Sequence, residues 1–280
     1  MAPDFFSRMG RVLIEFVEDL GRFFVMQGAV VRWLLATLVD WTRWAACSLL
    51  RRPCRSPFEA RETVEQMVTI GVNSVPVVLV TALFTGMVLA LQTGYTLDSK
   101  LQGISQFLGG MVTLSMVREL GPVLTSLIVA GRVGSAMAAE LGTMRVTEQI
   151  DALETLATNP IKYLVVPRVF ACLFMVPLLV LFSDAVGVFG GYVIAQVRYG
   201  QSAGMYIENA RNMVALGDLF SGLFKTAFFG VIIAMVSCYK GFNTTGGAEG
   251  VGRATTSAVV VSSMGILMAD YILTATMSAF

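Results

Sequence analysis

MVTIGVNSVPVVLVTALFTGMVLALQTGYTL, residues Met67–Leu97, runs for 31 residues without one charged side chain. A helix needs about 20 mostly apolar residues to cross a bilayer, so this stretch predicts a membrane span with length to spare. Four more stretches of the same kind come after it. They run from about Leu101 to Val133, interrupted by Arg118-Glu119; Val169 to Val197, with a lone Asp184; Leu219 to Tyr239, with Lys225 near its start; and Ala254 to Phe280, with a lone Asp270. Composition agrees. Of 280 residues 55% are hydrophobic and 14% charged, against about 25% charged in a soluble domain. Mean hydropathy is +0.72. Too little polar surface exists to cover a soluble globule, and disorder needs the opposite composition. The fold class predicted is an all-α integral membrane protein with five transmembrane helices.

The basic residues orient it. Nine Arg precede the first span, and the loops after the second and fourth spans carry Arg132, Arg145, Lys162, Arg168, Lys240 and Arg253. The opposite loops hold only Lys100, Arg198 and Arg211, with Lys225 just inside a span. The positive-inside rule therefore places the N-terminus in the cytoplasm and the C-terminus outside. Residues 1–65 form a separate N-terminal segment, read as cytoplasmic and interfacial. Phe5, Met9, Val12, Phe16, Leu20 and Phe23 recur at helical spacing, with charges on the other face. Trp33 to Leu50 is more apolar but contains Asp40, Arg43 and three Trp, which reads as a helix lying in the interface. No apolar run there has the form of a cleavable signal. Residues 66–280 form the membrane domain.

Arg118 and Glu119 sit near the middle of the second apolar stretch, where an ionisable side chain must pair or face water. Pro122 has no N–H, so the Arg118 carbonyl four residues back loses its helical donor. Broken backbone at that depth survives only inside protein or along a cavity. Two readings stay open: a polar spot that holds a lipid headgroup, or a structural ion pair between helices. Pro76 and Pro177 read as kinks. Asp184 and Asp270 read as helix caps or inter-helix contacts, with a proton relay as the alternative. Small residues every fourth position (Gly86, Ala90, Gly94; Gly134, Ala138, Gly142; Gly187, Gly191) permit close helix approach within one chain or across a dimer.

The segment from Gly131 to Pro160 is too polar to span and too patterned for a plain loop. Met137, Leu141 and Met144 make one apolar run, and Val146, Ile150 and Leu153 another. At 100° per residue Glu140, Thr147, Asp151 and Glu154 fall on one face. The prediction is an amphipathic helix over about 135–158, ended by Asn159-Pro160. It rests either on the membrane or in the cleft of a cytoplasmic motor. Gly246-Gly247 reads as the tight turn between spans four and five.

The chain encodes no motor. It has no P-loop, no His, no Ser nucleophile with a base and no metal spacing among Cys47, Cys54, Cys172 and Cys238. Catalytic and metal residues are accordingly none, and nothing points to nucleic acid. A membrane enzyme is disfavoured. An ion- or proton-coupled carrier using Glu119, Asp184 and Asp270 is the alternative to a permease, although five spans without an evident inverted repeat fit it poorly.

VRELGPVLTSLIVAGRVGSAMAAELGTMRVTEQIDAL (Val117–Leu153) resembles the signature of the MlaE permease family. LATNPIKYLVVPRVFA (Leu156–Ala171), KGFNTTGGAEGVGRATTSAVVVSS (Lys240–Ser263) and ILMADYILTA (Ile266–Ala275) continue the resemblance without departure. It implies the transmembrane subunit of an ABC transporter in the inner membrane, working as a homodimer. It implies a separate ATPase that uses ATP and Mg, so this chain needs no cofactor of its own. It further implies a hexamer of MCE-domain proteins forming a lipid tunnel, and in many systems a STAS-domain protein. The cargo is phospholipid or a related lipid, moved between the inner membrane and the tunnel, toward or from the outer membrane, in keeping with outer-membrane lipid asymmetry. Carried onto this sequence, Arg118, Glu119 and Pro122 fall in the lipid-pocket segment. Glu140, Gly142, Arg145, Thr147, Glu148, Gln149 and Asp151 fall on the ATPase-coupling helix.

Overall fold

The computed structural model describes residues 60–100 and 107–278. The predicted N-terminal interfacial helices lie outside the described residues. Among the described residues every regular element is helical. Five helical segments are long and apolar enough to cross a membrane: Glu62–Leu97, Leu108–Val146, Ile161–Tyr199, Leu216–Phe242 and Gly247–Met277. They are called the first to fifth spans.

Close approach between spans is set by glycine. A Cβ at Gly86 would strike the Gly187 carbonyl, and one at Gly190 would strike the Leu83 carbonyl. Gly94 sits against the Tyr199 ring, whose hydroxyl donates to the Leu91 carbonyl at 3.1 Å. The first and third spans therefore run side by side in the same direction, backbone against backbone. Gly134 faces Ser237, and Gly142 faces Thr244, which aligns the second span with the fourth. These contacts are packing within one chain. The fourth and fifth spans form a hairpin whose turn uses Gly246 (φ +88°) and Gly247 (φ +66°), the left-handed conformations that glycine adopts without strain.

Three expectations need correcting. Pro76 does not kink the first span from within. A helix over Ala60–Ile70 stops at Gly71, a 3-10 turn covers Val72–Ser74, and a new helix starts at Val75. Pro76 thus stands in a first turn, where its missing N–H has no intrahelical acceptor to lose. Pro177, by contrast, does lie inside the third span's helix.

The second correction concerns the predicted helix over about 135–158. Ser135–Val146 is the end of the second span, and a separate helix covers Gln149–Thr155. Glu148 between them is left-handed at φ +60°, and Ala157 beyond them at φ +56°. The cause is visible in the core. Met137, Leu141 and Ile150 are all buried in one cluster, with Met144 and Leu153 packed on it. One straight helix cannot turn both apolar runs onto the same core, so the chain bends at Glu148. Glu140, Thr147, Asp151 and Glu154 consequently do not form one stripe. Asn159 then opens the third span, its Oδ1 accepting from the Ile161 N–H at 3.0 Å.

The third is an element absent from the sequence-based expectation. A helix over Ala203–Met213 joins the third and fourth spans, capped by Ser202, whose Oγ accepts from the Met205 N–H at 3.4 Å. It is pinned by Tyr206, which is buried and donates to the Val188 carbonyl at 3.2 Å.

Candidate functional site

The second span departs from α-helical geometry twice, in wide π turns at Met116–Leu120 and Ala130–Gly134. The first has a local cause. Pro122 offers no N–H to the Arg118 carbonyl, and the Gly121 N–H reaches back to Met116 instead. The freed Arg118 carbonyl finds its donor in another span: Lys225 Nζ lies 3.2 Å away.

Lys225 is the centre of the arrangement. Its side chain is only 3% exposed. Besides the carbonyl, Nζ donates to Glu119 Oε1 at 2.9 Å and to Thr274 Oγ1 at 2.6 Å. It also lies 3.3 Å from Asp270 Oδ1. One ammonium from the fourth span therefore joins the second and fifth. Arg118 turns to a different partner. Its Nη2 and Nε lie 2.6 and 2.7 Å from Asp218 Oδ1. The other Asp218 oxygen accepts from the Ala215 N–H at 2.9 Å and so caps the fourth span. Arg118 and Glu119, adjacent in sequence, thus pair with separate residues.

These groups line a cavity of about 220 Å³ made by Arg118, Glu119, Asp218, Ser221, Lys225 and Thr274, with Gly217 and Met277. That is smaller than the ~300–1,000 Å³ of a small-ligand pocket, a size for a headgroup rather than a whole lipid. Its charges are unequal in availability. Lys225 is sealed by its contacts, whereas the Arg118 side chain is 54% exposed. Pro122 does not line the cavity; it packs behind it, toward Gly222 of the fourth span. Lys225, Asp218 and Thr274 were missed as site residues. The available signal was a lone Lys225 in the fourth apolar stretch and a lone Asp270 in the fifth, two opposite charges in two different spans.

The residues assigned to coupling lie at the other end of the bundle and divide in two. Glu140 and Gly142 are tied inward. Glu140 Oε1 is 2.8 Å from Arg168 Nη2, and Arg168 is buried and also donates to the Leu164 carbonyl. Gly142 lies against Thr244. Thr147, Glu148, Gln149 and Asp151 are exposed. Arg145 pairs with Asp151 across the bend, and Thr147 Oγ1 donates to the Thr143 carbonyl at 2.8 Å. Among the described residues no group of three His, Cys, Asp or Glu side chains gathers as a metal site.

A family model described as Permease MlaE matches residues 63–276. A probable ABC transporter permease protein of Rickettsia felis is 44% identical over 268 residues, covering 96% of this chain and 95% of the relative. The Haemophilus influenzae intermembrane phospholipid transport system permease protein MlaE is 34% identical over 279 residues, covering 99% and 98%. The Arabidopsis thaliana chloroplastic protein TRIGALACTOSYLDIACYLGLYCEROL 1 is 42% identical over 213 residues, covering 76% of this chain and 60% of that protein.

Proposed function

This chain belongs to the MlaE permease family, whose members here are ABC transporter permeases, and from that premise we propose that it moves phospholipid between the inner membrane and an MCE-protein tunnel. The name of the Haemophilus relative supports a phospholipid cargo. The chain acts as a multi-pass transport subunit in a homodimer, with the N-terminus cytoplasmic and the C-terminus periplasmic. ATP and Mg are used by a separate ATPase. A hexamer of MCE-domain proteins receives or delivers the lipid, and a STAS-domain protein joins the ATPase. A row of apolar side chains on the fifth span, including Val260, Met264, Leu267 and Tyr271, is exposed in the single chain and suits a helix that faces lipid or a second copy.

The observation that carries the lipid reading is Arg118. Its guanidinium is the accessible cation of a charge cluster between the second, fourth and fifth spans, held in place by one carboxylate. A phosphate presents the bidentate geometry that a guanidinium recognises and competes with Asp218 for it. Glu119 and Asp270 both stand against the one Lys225 ammonium rather than free along a path. At the other end, the exposed Arg145–Asp151 bend with Thr147, Glu148 and Gln149 is the surface the ATPase grips. Glu140 and Gly142 connect that surface to the third and fourth spans. Closure of the ATPases moves this end and drives lipid from the dimer cavity.

The test is Arg118→Ala. Phospholipid co-purifying with the protein in gentle detergent, measured by mass spectrometry, falls several-fold while the dimer persists by size-exclusion light scattering. Unchanged bound lipid sinks the headgroup role.

A further inference from the structure

Arg118 is anchored by Asp218, and the anchor depends on it in turn. Arg118 Nη2 and Nε both lie on Asp218 Oδ1, at 2.6 and 2.7 Å. The Asp218 side chain is 11% exposed, against 54% for Arg118. Its Oδ2 is already occupied by the Ala215 N–H at 2.9 Å. A phosphate that draws the guanidinium away therefore leaves Oδ1 charged, nearly dry and without its donors, which is strongly unfavourable. The cluster holds no replacement. Lys225 is engaged by the Arg118 carbonyl, Glu119, Thr274 and Asp270, and three carboxylates share two cations. A ligand that brings only negative charge is opposed by that balance.

The same cavity carries acceptors for a positive group. Asp218 Oδ1 is one, once the guanidinium has turned to phosphate. Glu119 is the second. Lys225 and Thr274 both donate to its Oε1, at 2.9 and 3.3 Å, so Oε2 keeps its acceptor capacity on a side chain that is 41% exposed. Ser221 is the third. Its hydroxyl donates to the Asp218 carbonyl at 2.8 Å, which leaves the oxygen to accept. All three residues line the cavity beside Arg118. Three acceptors match the three N–H donors of a primary ammonium. A quaternary ammonium has no such donor, and a glycerol headgroup has no positive charge. The cavity also lies where headgroups lie. Gly217, Asp218, Ser221 and Lys225 belong to the first turns of the fourth span, and Thr274 and Met277 to the last turns of the fifth.

We propose that the Arg118 cavity selects phospholipids whose headgroup joins the phosphate to a primary ammonium, that is, phosphatidylethanolamine, and that Asp218 sets this choice. The inference rests on the phosphate role of Arg118 given above. Binding is an exchange of ion pairs. Arg118 passes from Asp218 to the phosphate, and Asp218 passes from Arg118 to the ammonium, with Glu119 and Ser221 accepting alongside. Two carbons separate the phosphate ester oxygen from the ammonium nitrogen, so one headgroup reaches both halves of the broken pair. The site gains no net charge. Phosphatidylglycerol leaves Asp218 stranded, and phosphatidylcholine sets a group without N–H donors against it.

The experiment reads headgroup composition. The purified full chain, as wild type, Asp218→Asn and Arg118→Ala, is mixed in gentle detergent with equal amounts of phosphatidylethanolamine, phosphatidylglycerol and phosphatidylcholine of identical acyl chains. It is recovered on an affinity tag, and its bound lipid is quantified by mass spectrometry. The wild type is expected to hold phosphatidylethanolamine about tenfold over each of the others, the scale of one charge-assisted hydrogen bond. In Asp218→Asn the amide oxygen still accepts from the Ala215 N–H, total bound lipid is retained and the enrichment falls to the proportions of the mixture. An Asp218→Asn protein with the wild-type enrichment overturns the inference. So does wild-type protein that takes the three lipids equally, a comparison that needs no variant to fold. Arg118→Ala separates the two readings. If it lowers bound lipid several-fold while the wild type shows no preference, the phosphate role stands and the ammonium role falls. If it leaves bound lipid unchanged, the phosphate role itself falls, and this inference with it.

Discussion

Lys225→Met removes the cation at the centre of the polar cluster and keeps most of the volume of its stem. The wild-type ammonium serves a carbonyl, a hydroxyl and two carboxylates. Breaking a buried ion pair by deleting one partner costs about 3–5 kcal/mol when the other charge is stranded in a dry site. Here the stranded groups differ from that limit. Glu119 keeps 41% of its side-chain surface and Asp270 keeps 18%, so water restores part of their solvation. The loss falls to about 2–3 kcal/mol, which corresponds to a Tm drop of roughly 3–5 °C for a chain of this length. Thermal unfolding in nanodiscs reads it directly. Adding Glu119→Gln removes one stranded charge and recovers on the order of 1 kcal/mol. A loss below about 0.5 kcal/mol for the single variant would refute the reasoning, as would a double variant no more stable than the single one.

Two backbone sites give further outcomes. Gly86→Val places a branched side chain against the Gly187 carbonyl and should separate the first and third spans at a cost of about 3 kcal/mol or more, read as loss of monodisperse protein on size-exclusion chromatography. Glu148→Gly relieves a left-handed backbone at an exposed bend; the expected gain is about 0.5 kcal/mol, and a Tm below that of the wild type counts against the conformation assigned there.

Much of the fold was legible because lipid imposes a coarse rule. Apolar length marks a span whatever its neighbours do, and five such runs became five spans. The ends of those runs were less legible. The second span continues to Val146, well past the Val133 limit that apolarity suggested, because polar residues continue a helix as readily once it has left the hydrocarbon. The bend at Glu148 was hidden for a different reason. Periodicity reports which residues share a face only while the helix stays straight, and two apolar runs aimed at one core cannot. Half of the polar cluster was readable. The missing donor at Pro122 marked the Arg118 carbonyl as unsatisfied, and a donor was indeed supplied. That the donor is Lys225, 107 residues away, is a matter of how the fourth span is rotated, which no local pattern encodes. The helix over Ala203–Met213 escaped notice because it is short and amphipathic and its anchor is a single Tyr206.

The two π turns of the second span have a consequence for how such a chain can vary. In an α-helix each residue turns the chain by about 100°, so adding or removing one re-aims every side chain beyond it. A π turn already holds one residue more than an α turn. Deleting a single residue from Met116–Leu120 would tighten that loop to α geometry and leave the Gly134 and Gly142 contacts in register, while the Arg118 and Glu119 side chains lost their outward swell. The same deletion from the regular helix between the two π turns, Gly121–Val129, would re-aim the residues beyond it. The second span is therefore built with two places where its length can change by one while the helix beyond keeps its register, and both lie between the polar cavity and the Glu148 bend or at their border.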